Sequence, residues 1–125
     1  MLTPERPRAD ARFADEIRAL EPEVSVVIAY GHILPPALLE APERGSVNVH
    51  ASLLPELRGA APVHWALARG LERTGVTVIQ MTEGMDEGPI LLQREFPILA
   101  SDTASGLYLR LAELGAEALI VALVL

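Results

Sequence analysis

The chain has 125 residues, no cysteine, and 10 basic against 17 acidic side chains, a formal net charge of -7. That length excludes a pair of ordinary domains, and the missing cysteines exclude disulfide scaffolds, thiolate metal sites and a cysteine nucleophile. With no lysine and an acidic balance, holding nucleic acid by bulk charge is excluded too, so any such contact has to be local.

Phe13, Ile17 and Leu20 share one helical face within residues 9–20, and Pro22 predicts the end of that helix. The run Val24 to Tyr30, VSVVIAY, is β-branched and apolar on both faces, which predicts a central strand of a parallel sheet covered on two sides. A short helix is expected over Pro36 to Glu40 and a brief strand over Ser46 to His50. Pro62 suits a first helical turn, so a helix is predicted over Ala61 to Arg69, closed by Gly70. Gly75 opens a strand over Val76 to Met81, and after the loop EGMDEG a further extended run covers Pro89 to Pro97. Ser101 or Asp102 is expected to cap the last helix, which Gly115 punctuates before the apolar tail Ala118 to Leu125. That tail is shorter than the ~20 residues of a membrane span, and no signal-peptide run opens the chain, so cytoplasm is the expected compartment. The alternation predicts one α/β domain over residues 1–125, a partial Rossmann-like open sheet, mostly parallel, with flanking helices. Four strands are few for such a sheet, so its first strands are expected to precede residue 1.

Open α/β sheets bind ligands outside the carboxyl ends of their strands, which singles out Asn48, His50 and Asp86. Asn48 and His50, two apart, share a strand face. If the strand before Asp86 lies beside theirs, a carboxylate meets an imidazole, and the asparagine amide supplies a neutral donor for developing negative charge. Asn, His and Asp without Ser or Cys suit direct attack of a substrate amine on a carbonyl, with no covalent enzyme intermediate. The loop from Ala51 to Pro62, its path set by Pro55 and Gly59, is long enough to wall a pocket. Each residue also has a plainer reading. A histidine after a strand is more often a hydrogen-bonded structural residue than a catalyst, and an aspartate between glycines is usually a turn former. Arg58 fits either an anionic substrate or an ordinary surface position. His32, His64 and Trp65 read as loop or helix-surface residues. No G-x-G-x-x-G, P-loop, H-E-x-x-H or C-x-x-C text occurs, which removes the common nucleotide and zinc fingerprints.

Three stretches, VVIAYGHILP, NVHASLLPELRGAAPVHWAL and TGVTVIQMTEGMDEGPIL, in that order and at that spacing, resemble the formyltransferase domain of methionyl-tRNA formyltransferases. The resemblance runs from about Val24 to the end and implies a formyltransferase fold lacking its first strands, with the family's C-terminal β-barrel domain absent. It implies formyl transfer from 10-formyltetrahydrofolate to the α-amino group of methionine on initiator tRNA, without a metal. Asn48, His50 and Asp86 match the family's catalytic trio, and Ser52, Leu53, Leu54 and Pro55 its folate-contacting loop. Tyr30, Gly31, Ile33, Leu34 and Pro35 fall in a stretch whose backbone lines the pterin pocket, and Arg58 is the substrate-binding candidate. Ala51 after His50, and RGAAP at Arg58 to Pro62, favour the tRNA enzymes over glycinamide ribonucleotide formyltransferases. Amino-sugar formyltransferases are the alternative within the superfamily. From another class, the alternative is an inactive scaffold that keeps folate or protein binding. Glu56 stands where the family usually has a base and Pro89 where an acid is common, which with the charge of -7 weighs against this chain holding tRNA alone. An unpaired side of Val24 to Tyr30 predicts self-association.

Overall fold

The computed structural model describes residues 2, 4–5, 10–30 and 33–124. In chain order its elements are α1 (Ala11–Ala19), β1 (Ser25–Val27), α2 (Pro36–Leu39), β2 (Ser46–His50), α3 (Pro62–Ala68), β3 (Arg73–Gln80), β4 (Ile90–Pro97) and α4 (Ala104–Leu123). The strands form one sheet in the order β1-β2-β3-β4. The layered α/β arrangement agrees with the sequence reading. Strand direction does not: β1 and β2 are parallel, but β2 with β3 and β3 with β4 are antiparallel. An intervening helix enforces a parallel return only when it carries the chain the length of the sheet. Here the loop after β2 and the short α3 bring the chain back at the end where it left, and residues 81–89 join β3 to β4 without a helix.

β1 is shorter than the expected Val24 to Tyr30 and lies at the edge of the described sheet, with Val26 and Ile28 exposed. Its composition is that of a strand covered on both sides, yet β2 is the one strand that pairs with it among the described residues. β3 starts before Gly75, at Arg73, because its ladder with β4 runs on to the pair Arg73 and Pro97.

The core lies between the sheet and α4. Val47, Val76 and Val78 meet Leu107, Leu111, Ala118 and Ala122 of α4, with Val63 of α3 closing one end. Burying each Val or Leu side chain contributes roughly 1.5–3 kcal/mol, so this layer carries most of the stability. Gly115 lies within α4 rather than interrupting it. A Cβ there would sit 3.1 Å from Val49 Cγ1, so the glycine lets the helix approach β2 closely. The helix cap is Thr103, whose hydroxyl accepts from Gly106 N at 3.2 Å. Asp102, an expected cap, instead accepts from Leu99 N and from Arg110, whose guanidinium stacks on Phe96.

On the other side of the sheet, α1 and α2 pack beside β1, burying Ala14, Leu38 and Leu39. Asp10 caps α1 by accepting from Arg12 N. Ser46 Oγ donates to Leu39 O at 3.0 Å and ties α2 to β2. Phe13, Ile17, Leu34, Leu38, Ser46 and the length of β1 line a mostly apolar cavity of about 230 Å³ that opens to solvent.

Candidate functional site

Alternation along β2 sends Val47 and Val49 toward α4 and leaves Ser46, Asn48 and His50 on the opposite face. His50, the last residue of the strand, lies opposite Thr77 of β3 and is 7% exposed. Its Nε2 donates to the carbonyl oxygen of Leu57 at 2.8 Å. A carbonyl only accepts, so that nitrogen carries the hydrogen. Nδ1 faces Asp86 Oδ1 at 3.7 Å, too far for a direct hydrogen bond but within ion-pair reach when the ring is protonated.

The two side chains are held apart and held in place by the loop that follows β2. Ser52 Oγ donates to Glu56 O at 2.6 Å and closes a tight turn. Leu57 then adopts φ +55°, a conformation branched side chains rarely enter, and its carbonyl reaches His50. Gly59, at φ +89°, donates its N–H to Asp86 Oδ2 at 2.8 Å, and Arg58 Nε donates to the Asp86 carbonyl at 3.3 Å. Asp86 itself has φ +53°, which aspartate tolerates better than most residues.

Asp86 does not arrive as strand ends alone would bring it. β2 and β3 are antiparallel, so their carboxyl ends lie at opposite margins of the sheet, and Met81 N meets Ser46 O at the start of β2. Residues 81–89 fold back over the sheet to carry Asp86 to His50. Gly88 permits the fold-back, since a Cβ at that position would collide with the carbonyl oxygen of Gln80.

Asn48 sits between these features. It is half-buried, paired in register with Val27 and Ile79, and its side chain has no hydrogen-bond partner among the described residues. The residues read as folate contacts divide around it. Ser52 and Leu54 are buried, Leu53 packs over Gly75, and Pro55 is exposed after a cis peptide bond. Tyr30 and Leu34 line the cavity beside β1, Pro35 precedes α2 as its cap residue, and Ile33 is exposed. Gly31 and His32 lie outside the described residues. None of residues 52–55, His50 or Asp86 lines that cavity. Ser46 does, and it is four residues before His50, roughly 13 Å along the strand. His64 and Trp65 are exposed on α3, with Arg69 over the indole ring.

Two residues escaped the sequence reading. Thr77 is fully buried: its hydroxyl donates to Ser52 O at 2.7 Å and accepts from Leu54 N at 3.1 Å and from Gln93 Nε2 at 3.0 Å. Gln93 Nε2 also donates to Leu54 O at 2.8 Å. A threonine inside the apolar run Val76 to Ile79 signals that something must satisfy its hydroxyl, but the partners lie 16 to 25 residues away in sequence. Among the described residues no group of three or more His, Asp or Glu side chains could hold a metal ion. No described helix is long and apolar enough to cross a membrane.

Residues 2–123 match the model of a family described as formyl transferase. A methionyl-tRNA formyltransferase from Synechococcus sp. (strain JA-3-3Ab) is 52% identical over 97% of this chain and 38% of its own length. Among solved structures, glycinamide ribonucleotide transformylase 1 from Symbiobacterium toebii aligns with a TM-score of 0.84 and 31% identity, over 90% of this chain and 53% of that one. A formyltetrahydrofolate deformylase from Pseudomonas syringae pv. tomato str. DC3000 aligns with a TM-score of 0.82 and 29% identity, over 96% of this chain and 42% of that one. The chain thus spans about two fifths of the length of that curated relative.

Proposed function

The chain belongs to the formyl transferase family, and on that premise we propose that it forms the catalytic part of a methionyl-tRNA formyltransferase. The reaction moves a formyl group from 10-formyltetrahydrofolate to the α-amino group of methionine on initiator tRNA, in the cytoplasm where initiation takes place. The relative at 52% identity bears that name, whereas the solved structures named for other chemistry are near 30% identical. This difference favours tRNA as acceptor over the substrates of those other enzymes.

One observation carries the reading: the imidazole of His50 and the carboxylate of Asp86 face each other at 3.7 Å, and the amide of Asn48, which has no partner among the described residues, lies two residues away on the same strand face. The donor supplies an activated formyl carbonyl. Asn48 offers an N–H to the negative charge that develops on the formyl oxygen as the amine adds. His50 keeps Nε2 on Leu57 O, so Nδ1 is the nitrogen that exchanges a proton, on the side where Asp86 stabilises the imidazolium. The amine nitrogen loses a proton, the leaving nitrogen of the donor gains one, and the His50–Asp86 pair relays it. Tyr30, Gly31, Ile33, Leu34, Pro35 and the segment Ser52 to Pro55 are the donor contacts in this reading. Arg58, exposed and anchored through Nε on Asp86 O, is placed to meet an anionic group of the acceptor.

Val26 on β1, at the edge of the described sheet, and Ile28 just beyond it are exposed, and we expect copies of the chain to associate there. The catalytic reading is tested by assaying formyl transfer to methionyl-tRNA after His50→Ala and Asp86→Ala. Each is expected to lower turnover at least about 100-fold, the scale of a lost acid–base or oxyanion partner. Near-normal turnover in either variant removes the assignment.

A further inference from the structure

We infer that Thr77 is a positioning residue for this site, fastening the root of the Ser52 to Gly59 loop to the sheet so that the loop can set the geometry of His50 and Asp86. His50 and Asp86 make no direct hydrogen bond to each other; each is held by loop backbone, His50 by Leu57 O and Asp86 by Gly59 N, both at 2.8 Å. Their separation therefore depends on where the loop lies. The loop is anchored to the sheet mainly through one hydroxyl. A hydroxyl has one hydrogen to give and two lone pairs to receive, and Thr77 uses all three, on Ser52 O, Leu54 N and Gln93 Nε2. Gln93 adds a second tie through Leu54 O. From that root the turn closed by Ser52 Oγ on Glu56 O leads straight to Leu57 and Gly59. Thr77 also lies opposite His50 in the β2–β3 register, so the loop starts and is anchored at the same point of the sheet.

The inference rests on the formyl-transfer reading only where activity is the readout. The decisive measurement is made on the ¹⁵N-labelled chain by nuclear magnetic resonance, following the His50 Nε2–H signal and hydrogen exchange at the Leu54 and Gly59 amides. Thr77→Val keeps the branched shape and removes the hydroxyl; it is expected to speed exchange at both amides at least about tenfold, as for a lost buried hydrogen bond, and to broaden the His50 signal. Thr77→Ser keeps the hydroxyl and is expected to restore both, a rescue that a role in packing alone would not give. Should Thr77→Val fail to fold, Gln93→Met removes two donors from a half-buried position and is expected to give the same pattern at smaller amplitude. Wild-type exchange at Gly59 with an unchanged His50 signal in the folded variant, or no rescue by serine, overturns the inference. In the formyl-transfer assay Thr77→Val is expected to lower kcat about tenfold, with serine restoring it. If the unmodified chain neither binds tetrahydrofolate nor transfers formyl, the activity reading fails while the exchange data still decide the role of Thr77.

Discussion

On one side of Asn48 the Ser52 to Gly59 loop is held by hydrogen bonds with named partners; on the other, α1, α2 and the edge strand β1 line a mostly apolar, open cavity of about 230 Å³. Both regions cover the same face of the sheet, yet they are built from different forces. Hydrogen bonds are directional and weaken steeply away from their preferred angle, so the loop side fixes individual atoms, among them the carbonyl on His50 and the amide on Asp86. Apolar contact is non-directional and scales with area, so the β1 side fixes only what is covered and leaves Val26, Ile28 and Ile33 exposed. Geometry that has to be accurate sits on the first side. Surface that can take a neighbour sits on the second.

The largest effect is expected at Gly75. A Cβ there would collide with the Arg94 carbonyl oxygen and come within 2.7 Å of Leu53 Cδ2, so Gly75→Ala pushes both β4 and the loop off the sheet. Its expected cost is about 3 kcal/mol, at the upper end for overpacking, read from the denaturant midpoint; a loss under ~1 kcal/mol means the loop side yields to the added methyl despite its hydrogen bonds. A smaller effect on stability, but a clear one on association, is expected from Val26→Lys combined with Ile28→Lys. Charged side chains on an edge strand oppose pairing, so sedimentation should show the wild-type chain associating and the double variant monomeric, with stability changed by no more than about 0.5 kcal/mol. A monomeric wild type shows instead that the apolar edge tolerates water. The smallest change is at Ala61, exposed and at φ +53° where the loop enters α3. Glycine removes a left-handed cost of roughly 1–2 kcal/mol and adds unfolded-state entropy worth ~0.4–1 kcal/mol. Ala61→Gly should therefore raise stability by about 0.5 kcal/mol in the same denaturant series, and a loss would mean the strain lies elsewhere in the loop.

Much of the fold was legible because it is encoded locally. The span Ser46 to His50 emerged as expected, and Pro62 placed α3 within a residue of its start. The shared face of Asn48 and His50 follows from a period of two and needed no partner to be known. The caps were harder. Ser101, Asp102 and Thr103 are all capping types, and which one serves depends on Asp102 being drawn off by Arg110, a residue on the next turns of α4. Gly115 read as a break because glycine weakens helices; the packing of α4 on Val49 outweighs that preference.

The sequence by itself settled the element order, the face that carries the amide and the imidazole, and, through three motif stretches, the kinship of the chain. Those features depend on neighbours in the chain, or on text that can be read without coordinates. Only the tertiary structure decided that two of the three strand pairings run antiparallel, that residues 81–89 fold back to bring Asp86 to His50, and that Thr77 and Gln93 anchor the loop between them. Each of these joins segments distant in the chain. Which hydrogen-bond donor meets which acceptor is then chosen by packing, not by the preference of any one residue.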